Sequence, residues 1–326
     1  ATLRKCNVKD SMKSNLLVVL GMSACIFGGC SKERRSAEAA REMQQFVIDL
    51  SEYARAQSLG FLIVPQNGSE LAFIDADADN DLNTDYLRAI DGFGIEELFY
   101  NGGYSPDEER LDMLRTLHPE KPIFVSEFAS SESAIADAIQ RNQSEGFVCF
   151  PRSANNYDYT HIPDSAIQEN SDNITSLEQA RNYLYLISHD AFSSKQEMIG
   201  ALVATNFDVI LIDLFYEDDA FTSSEINQLK TKANGGSRLV LSYISVGSAE
   251  KYRYYWKKGW GLHHPLWLRR RYDGYSDEFW VKFWKDDWKN IMYGNDDSYI
   301  KKIIHAGFDG AYLDNVEAYY FLYYKD

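Results

Sequence analysis

Nine apolar runs of strand length, with helix-like stretches between most of them, constrain this fold more than any other feature of the sequence. They lie at 61–65, 89–93, 122–128, 146–150, 182–188, 208–214, 239–245, 279–284 and 308–313. A strand–helix–strand repeat returns each strand to the same edge of the sheet, so repetition on this scale implies a parallel sheet. The first helix is read from Met43, Phe46, Val47, Leu50, Tyr53 and Ala54, which recur at three and four residues and share one face. Further helix starts are expected at Ser105-Pro106 and at the capping boxes Ser193 to Gln196 and Thr222 to Glu225. A chain of 326 residues has room for two domains, but alternating barrels run to about 250 residues as one. The expectation is α/β, a single (β/α)8 TIM barrel over 41–326. One of the nine runs is then surplus. The segment 146–150 is taken as that one, because the polar stretch 151–180 after it reads as an insertion.

The N-terminal 29 residues read as a leader. Met12-Lys13 opens a basic region, Leu16 to Phe27 is an apolar run too short to span a bilayer, and Phe27-Gly28-Gly29 places small residues before Cys30. The pattern resembles a bacterial lipoprotein signal, with cleavage before Cys30 and lipid on its thiol. An ordinary secretory signal is the alternative. Residues 30–40 are charged and small and read as a tether, and the protein is expected at the bacterial cell envelope, at the outer membrane or cell surface. Cys6 and Cys25 would leave with the leader and Cys30 would be lipidated, so Cys149 stands alone and no disulfide framework is expected.

Lys and Arg number 33 against 49 Asp and Glu, a net charge of −16. This balance argues against nucleic acid or an anionic membrane surface as a partner and favours a neutral or cationic ligand. Several strand candidates end in acids or amides: Gln66-Asn67, Glu96, Glu127, Asp213 and Asp314. In a parallel barrel these ends converge on one face. Any single acid there could be a helix N-cap, but five together suit glycosidic cleavage, which needs one protonated and one ionised carboxyl group. All six tryptophans, Trp256, Trp260, Trp267, Trp280, Trp284 and Trp288, fall within 33 residues among many tyrosines. Such rings suit the apolar faces of sugars and the charge of an amino sugar; packing on the barrel wall accounts for about half of them.

Three stretches carry a family resemblance: Phe207 to Asp213, Tyr243 to Glu250 with Tyr252-Arg253, and Gly307 to Asp314. They resemble the endo-alpha-1,4-polygalactosaminidases, glycoside hydrolase family 114. The resemblance implies a (β/α)8 barrel of retaining enzymes with Asp314 as acid/base. Later family segments are similar to Pro65 to Gly68 and Asp91 to Tyr100, which here come first, and the nucleophile matches Glu96. The implied strand order is therefore circularly permuted. Two positions depart from the family: Ser248 stands where many members have Glu, and Glu317 replaces a common Asp.

The residues themselves leave Glu97 as a rival to Glu96. Gln66, Asn67, Asp213, Tyr243, Glu250, Arg253 and Trp284 are expected to line sugar subsites, with a structural Arg253–Glu250 pair as the alternative for Arg253. No cofactor or metal is expected. The alternating Asp75, Asp77, Asp79 and Asp81 lack the turn glycine and terminal Glu of a calcium loop, and Gly92-Phe93-Gly94 lacks a third glycine at 97. His263-His264 lacks metal spacing, and Ser242 and Ser245 have no histidine at a diagnostic spacing. Two functions remain: an endo-acting glycosidase for galactosamine-containing polysaccharide, or a carbohydrate-binding lipoprotein without turnover. The partners are then a polysaccharide and a membrane through the lipid, for a monomeric protein.

Overall fold

The computed structural model describes residues 23–153 and 159–324, with side chains from residue 32 onward. The leader through residue 22 and the side chain of Cys30 lie outside the described residues.

Among the described residues, eight strands pair in parallel: β1 (Leu62–Pro65), β2 (Phe93–Tyr104), β3 (Ile123–Ala129), β4 (Val148–Arg152), β5 (Tyr183–Leu186), β6 (Val209–Asp213), β7 (Leu239–Ser245) and β8 (Gly310–Asp314). One ladder runs β2-β3-β4 and a second β5-β6-β7-β8-β1. Register in the second is regular, with Gly310 opposite both Leu62 and Leu241. Gln66 bridges Gly94 in parallel beyond the end of β1, and the Phe150 and Tyr183 rings of β4 and β5 meet at 5.6 Å. Val64, Phe124, Tyr183, Leu211, Leu241 and Tyr312, drawn from both ladders, surround one small apolar cavity. The protein is thus a mixed α/β fold with a mostly parallel central sheet.

Helices fill the intervals: α1 (Ser23–Gln57), α2 (Thr84–Ala89), α3 (Glu108–Leu117), α4 (Glu132–Glu145), α5 (Lys195–Val203), α6 (Ser223–Leu229), α7 (Asp286–Met292), α8 (Tyr299–Ala306) and α9 (Ala318–Tyr324). The expected face of α1 is the buried one, with Met43, Phe46, Val47, Leu50 and Ala54 fully inside. Each of the larger ones contributes roughly 1.5–3 kcal/mol by leaving water. Residues 31–40, read as a tether, are helical here. Ser36, Ala39 and Ala40 are buried, and Ser36 Oγ donates to the carbonyl of Tyr319 in α9 at 3.1 Å. Small side chains that suggested a flexible spacer are what a close helix–helix approach requires. None of the described helices is long and apolar enough to cross a membrane.

Three expectations about elements change. The segment 146–150, set aside as surplus, is β4 and pairs in parallel with β3. The run at 279–284 instead belongs to an antiparallel excursion between β7 and β8, in which Glu278–Val281 pairs with Ser248–Glu250 and Leu268–Arg271. The run at 89–93 only leads into a strand, since Asn83 caps α2 by accepting from Tyr86 N–H and β2 begins at Phe93. Helix starts also move. Asp107 caps α3 in place of Ser105-Pro106, and Ser194 caps α5 one residue beyond Ser193, while the Thr222–Glu225 box forms reciprocally.

Candidate active site

Side chains alternate along a strand, so residues two apart share a face. Val64, Tyr183, Leu241 and Tyr312 line the interior cavity, and the residues two positions on, Gln66, Tyr185, Tyr243 and Asp314, carry that face to the strands' C-terminal ends. On β2 the same face holds Gly94 and Glu96. Gly94 has no substitute there, because an added Cβ would sit 1.8 Å from Tyr312 Oη. The left-handed residues Asn67, Glu97 and Asn315 directly follow Gln66, Glu96 and Asp314. Turning the backbone sharply past the ends of β1 and β8, and within β2 where its pairing with β3 shifts after Glu96, is strained for non-glycine residues, a cost that tends to gather at functional sites.

These ends open into a cleft of ≈ 490 Å³. Gln66, Asn67, Glu96, Tyr243, Glu250 and Asp314 line it, together with Tyr159, Tyr185, Tyr272, Tyr275, Glu278 and Glu317. Glu96 Oε2 accepts from Gln66 Nε2 at 2.6 Å and Asn67 Nδ2 at 3.3 Å, and Oε1 accepts from Tyr159 Oη at 2.6 Å. Tyr159 stacks on Tyr185 at 3.7 Å, and Tyr185 Oη donates to Gln66 Oε1 at 2.6 Å, so the donors are themselves held. Glu97 points elsewhere. Its Oε1 meets Arg152 Nη2 at 2.5 Å, outside the residues lining the cleft, which separates it from Glu96 by position.

Asp314 Oδ2 accepts from Tyr243 Oη at 2.6 Å and Asn315 Nδ2 at 3.2 Å, and Oδ1 from Asn315 N–H at 2.7 Å. Asn315 Nδ2 also reaches Ser245 Oγ at 2.9 Å and Ser248 Oγ at 3.2 Å, and Ser248 Oγ donates to Glu278 Oε1. A hydrogen-bonded chain thus joins Glu278 to Asp314. Burial, and then the like charge of Glu96, push the Asp314 carboxyl up to about 7 against the Tyr243 and Asn315 bonds. Glu96 is also raised by burial, opposed by Tyr159, the Arg152 charge and Asn67. Burial lifts Glu278 to about 8 with help from Glu250, and Glu317 to about 8 with help from Glu70. Four carboxyl groups crowd one desolvated space, which favours sharing protons or binding a cation.

The remaining expected residues fall behind or beside the cleft. Arg253 takes Asp213 in two contacts of 2.9 and 2.8 Å and Glu250 Oε2 at 2.6 Å. Asp213 and Arg253 do not line the cleft, so Arg253 anchors the wall that presents Glu250. Trp284 is also outside it, packed edge-on against Phe283 at 5.0 Å. None of the six tryptophans lines the cleft. Trp280 is buried in a stack between Tyr272 at 4.3 Å and Phe321 at 4.7 Å, and those outer rings are the ones that reach the cleft. Glu127 faces away, accepting from Phe99 N–H, Tyr100 N–H and Asn142 Nδ2.

Tyr159, Glu278 and the Ser248 link were not singled out from sequence for a role in the site. Tyr159 lies in a stretch with no repeating pattern, and Glu278 sits on an antiparallel strand that the parallel reading did not separate. Tyr272 and Tyr275 were visible only as companions of the tryptophans.

Residues 166–326 match the glycoside-hydrolase family GH114 model. The family is glycoside hydrolase family 114. Its matched range includes Asp213, Tyr243, Glu250, Glu278 and Asp314, while Gln66, Asn67 and Glu96 precede it. The chain is 32% identical over 153 residues to an uncharacterized protein of Methanocaldococcus jannaschii, covering 46% of this chain and 41% of that one. It is 32% identical over 117 residues to an uncharacterized protein of Thermotoga maritima, 36% of this chain and 34% of the relative. A third, from Deinococcus radiodurans, is 33% identical over 124 residues, 38% of each. The matches therefore span less than half the length of each relative.

Proposed function

We propose that this chain is a retaining, endo-acting glycoside hydrolase for alpha-1,4-linked galactosamine-containing polysaccharide, with Glu96 as nucleophile and Asp314 as acid/base. The observation that carries this reading is the contrast between two carboxyl groups in one cleft. Burial raises Glu96 too, but the Tyr159 and Asn67 donors and the Arg152 charge oppose that rise, while Asp314, with the like charge of Glu96 added to burial, is pushed up to about 7 and can carry a proton at neutral pH. Environments that separate the tasks of two carboxyls are how such enzymes assign acid and nucleophile.

In the first step Glu96 Oε attacks the anomeric carbon as the glycosidic C–O bond breaks, and the Asp314 proton passes to the departing oxygen. A glycosyl ester on Glu96 remains. In the second step Asp314, now ionised, takes a proton from water as the water oxygen displaces Glu96, restoring both groups. Glu250, Glu278 and Glu317 line the cleft, where a protonated amino sugar would draw Glu278 and Glu317 down from about 8 into their charged forms, and Tyr272 and Tyr275 offer ring faces.

The same proposal closes the two ladders into a (β/α)8 barrel, supported by the Gln66–Gly94 bridge, the Phe150–Tyr183 contact and the cavity both ladders line. It includes the circular permutation. The family match begins at 166, while the segments around Gln66 and Glu96 that join its site come first in the chain. Lipid on Cys30 then holds the barrel at the bacterial cell envelope. The test is incubation of wild type, Glu96→Gln and Asp314→Asn with partially deacetylated galactosamine polymer, reading new reducing ends and product length. Loss of cleavage by 10³-fold or more in both variants is expected for groups that carry the chemistry. Full activity in both variants refutes the pair, and an inactive wild type that still binds the polymer leaves the binding-protein reading.

A further inference from the structure

Most cations among the described residues have a carboxylate within reach, but those of one region do not. Among the described residues, Arg35, Lys121, Arg238, Lys257, Lys258, Arg269, Arg270, Arg271, Lys282 and Lys285 make no ion pair, and seven of these ten come from the excursion between β7 and β8. Four of them adjoin. Lys282 N–H donates to the Trp267 carbonyl at 2.8 Å, which sets it beside Arg269, and Lys285 closes a turn onto the Lys282 carbonyl at 3.0 Å. Ser36 of α1 bonds the Tyr319 carbonyl and Arg270 Nη1 the Phe321 carbonyl at 3.3 Å, so the neighbours Arg35 and Arg269 both border α9. On α1, Glu38 is engaged by Arg34 at 3.5 Å, while Glu33 lies toward Tyr324. Asp286 and Asp287 occupy the first turn of α7, where the helix dipole favours them. Leu266, 77% exposed, stands in the same loop.

We propose that this patch, Arg35, Arg269, Lys282 and Lys285, is a docking face for the anionic headgroups of the membrane that holds the protein. The proposal rests on the reading of Cys30 as the lipidated residue. Cys30 lies five residues before Arg35 in α1, about 7.5 Å along a helix and at most about 18 Å if extended. A lipid there holds Arg35 close to the headgroup plane, and the rest of the patch meets that plane when this face turns toward it. The net charge of −16 does not oppose this, because charges farther away than about 8 Å are screened at physiological salt. On this proposal the acidic balance disfavours an anionic surface for the molecule as a whole but not for this face. The hairpin that carries Arg269 continues into Tyr272 and Tyr275 at the cleft rim, so docking would set the cleft mouth near the headgroups.

The test uses the full chain as isolated from membranes, reconstituted into vesicles of neutral phosphatidylcholine or of the same lipid with 30% phosphatidylglycerol. A membrane-impermeant amine-acetylating reagent is applied, and digests are read by mass spectrometry. Each cation near an anionic surface favours docking about fivefold. Lys282 and Lys285 should therefore react at least ~10-fold more slowly on the anionic vesicles, with the protection lost in 0.5 M salt and the Lys301 and Lys302 rates unchanged. Arg269→Glu with Lys285→Glu should restore Lys282 reactivity, with far-ultraviolet circular dichroism confirming the fold. Equal rates on both vesicles, or protection that survives the double variant, overturn the docking face. The same digest reports the mass of Cys30. Lipid without patch protection refutes the docking alone, and protection without lipid refutes the anchor alone.

Discussion

Asp314→Asn should make the protein more stable at alkaline pH while removing its activity. The ordinary aspartate value is 3.8, and burial beside Glu96 carries Asp314 to about 7. The folded state thus holds the proton more tightly than the unfolded chain. Well below pH 3.8 the carboxyl is neutral in both states and its contribution is intact. As pH rises from 4 through 7 the unfolded chain ionises first, and wild-type stability falls. The gap corresponds to ~4 kcal/mol once pH exceeds 7, an order of magnitude for one group in a set. Asparagine carries no charge to desolvate and keeps an acceptor for Tyr243 Oη. It also relieves Glu278, whose own rise includes repulsion from Asp314. Urea titrations of both proteins at pH 4.5 and pH 8 read this directly. The variant should gain roughly 1–4 kcal/mol over wild type between those values. A difference between the proteins that stays constant with pH would show that Asp314 is not held protonated by its surroundings.

Tyr159→Phe removes the hydroxyl that donates to Glu96 Oε1 at 2.6 Å, so Glu96 should hold its proton to higher pH. The acidic limb of kcat/KM on the polymer should move upward, with a loss of roughly 10–100-fold at pH 6 for one bond to a charged group. Arg253→Ala leaves Asp213 and Glu250 facing each other without their shared cation. It should cost roughly 3–5 kcal/mol in urea unfolding, as breaking a buried ion network does, and a change below 1 kcal/mol would mean water already screens the cluster.

The sequence exposed the parallel strands because a buried parallel strand is a continuous apolar run, and β1, β3, β6, β7 and β8 stand where such runs are. The same signal has no direction in it. Phe279-Trp280-Val281 is as apolar as Val148-Cys149-Phe150, and only pairing distinguishes the antiparallel hairpin from β4. Asp314 was legible because it closes a parallel strand, whereas Glu96 lies inside β2 at a shift in its pairing and was read as a strand end only because the run at 89–93 was taken for the strand. Glu278 reaches the same cleft from an excursion, through Ser248, where no periodic rule applies. The tryptophans marked the right region for the wrong reason. Density in sequence cannot say which ring is stacked inside, and here Trp280 supports Tyr272 and Phe321 rather than meeting solvent.

The central claim, that Glu96 forms a covalent bond to the sugar, is tested most directly by chemical rescue. Glu96→Ala should leave room for azide, and with an activated galactosaminyl donor it should yield a glycosyl azide of anomeric configuration opposite to the substrate, whereas Asp314→Ala should retain configuration in any azide adduct. Inverted azide from the Asp314 variant, or none from the Glu96 variant while wild type is active on the same donor, would contradict the assignment.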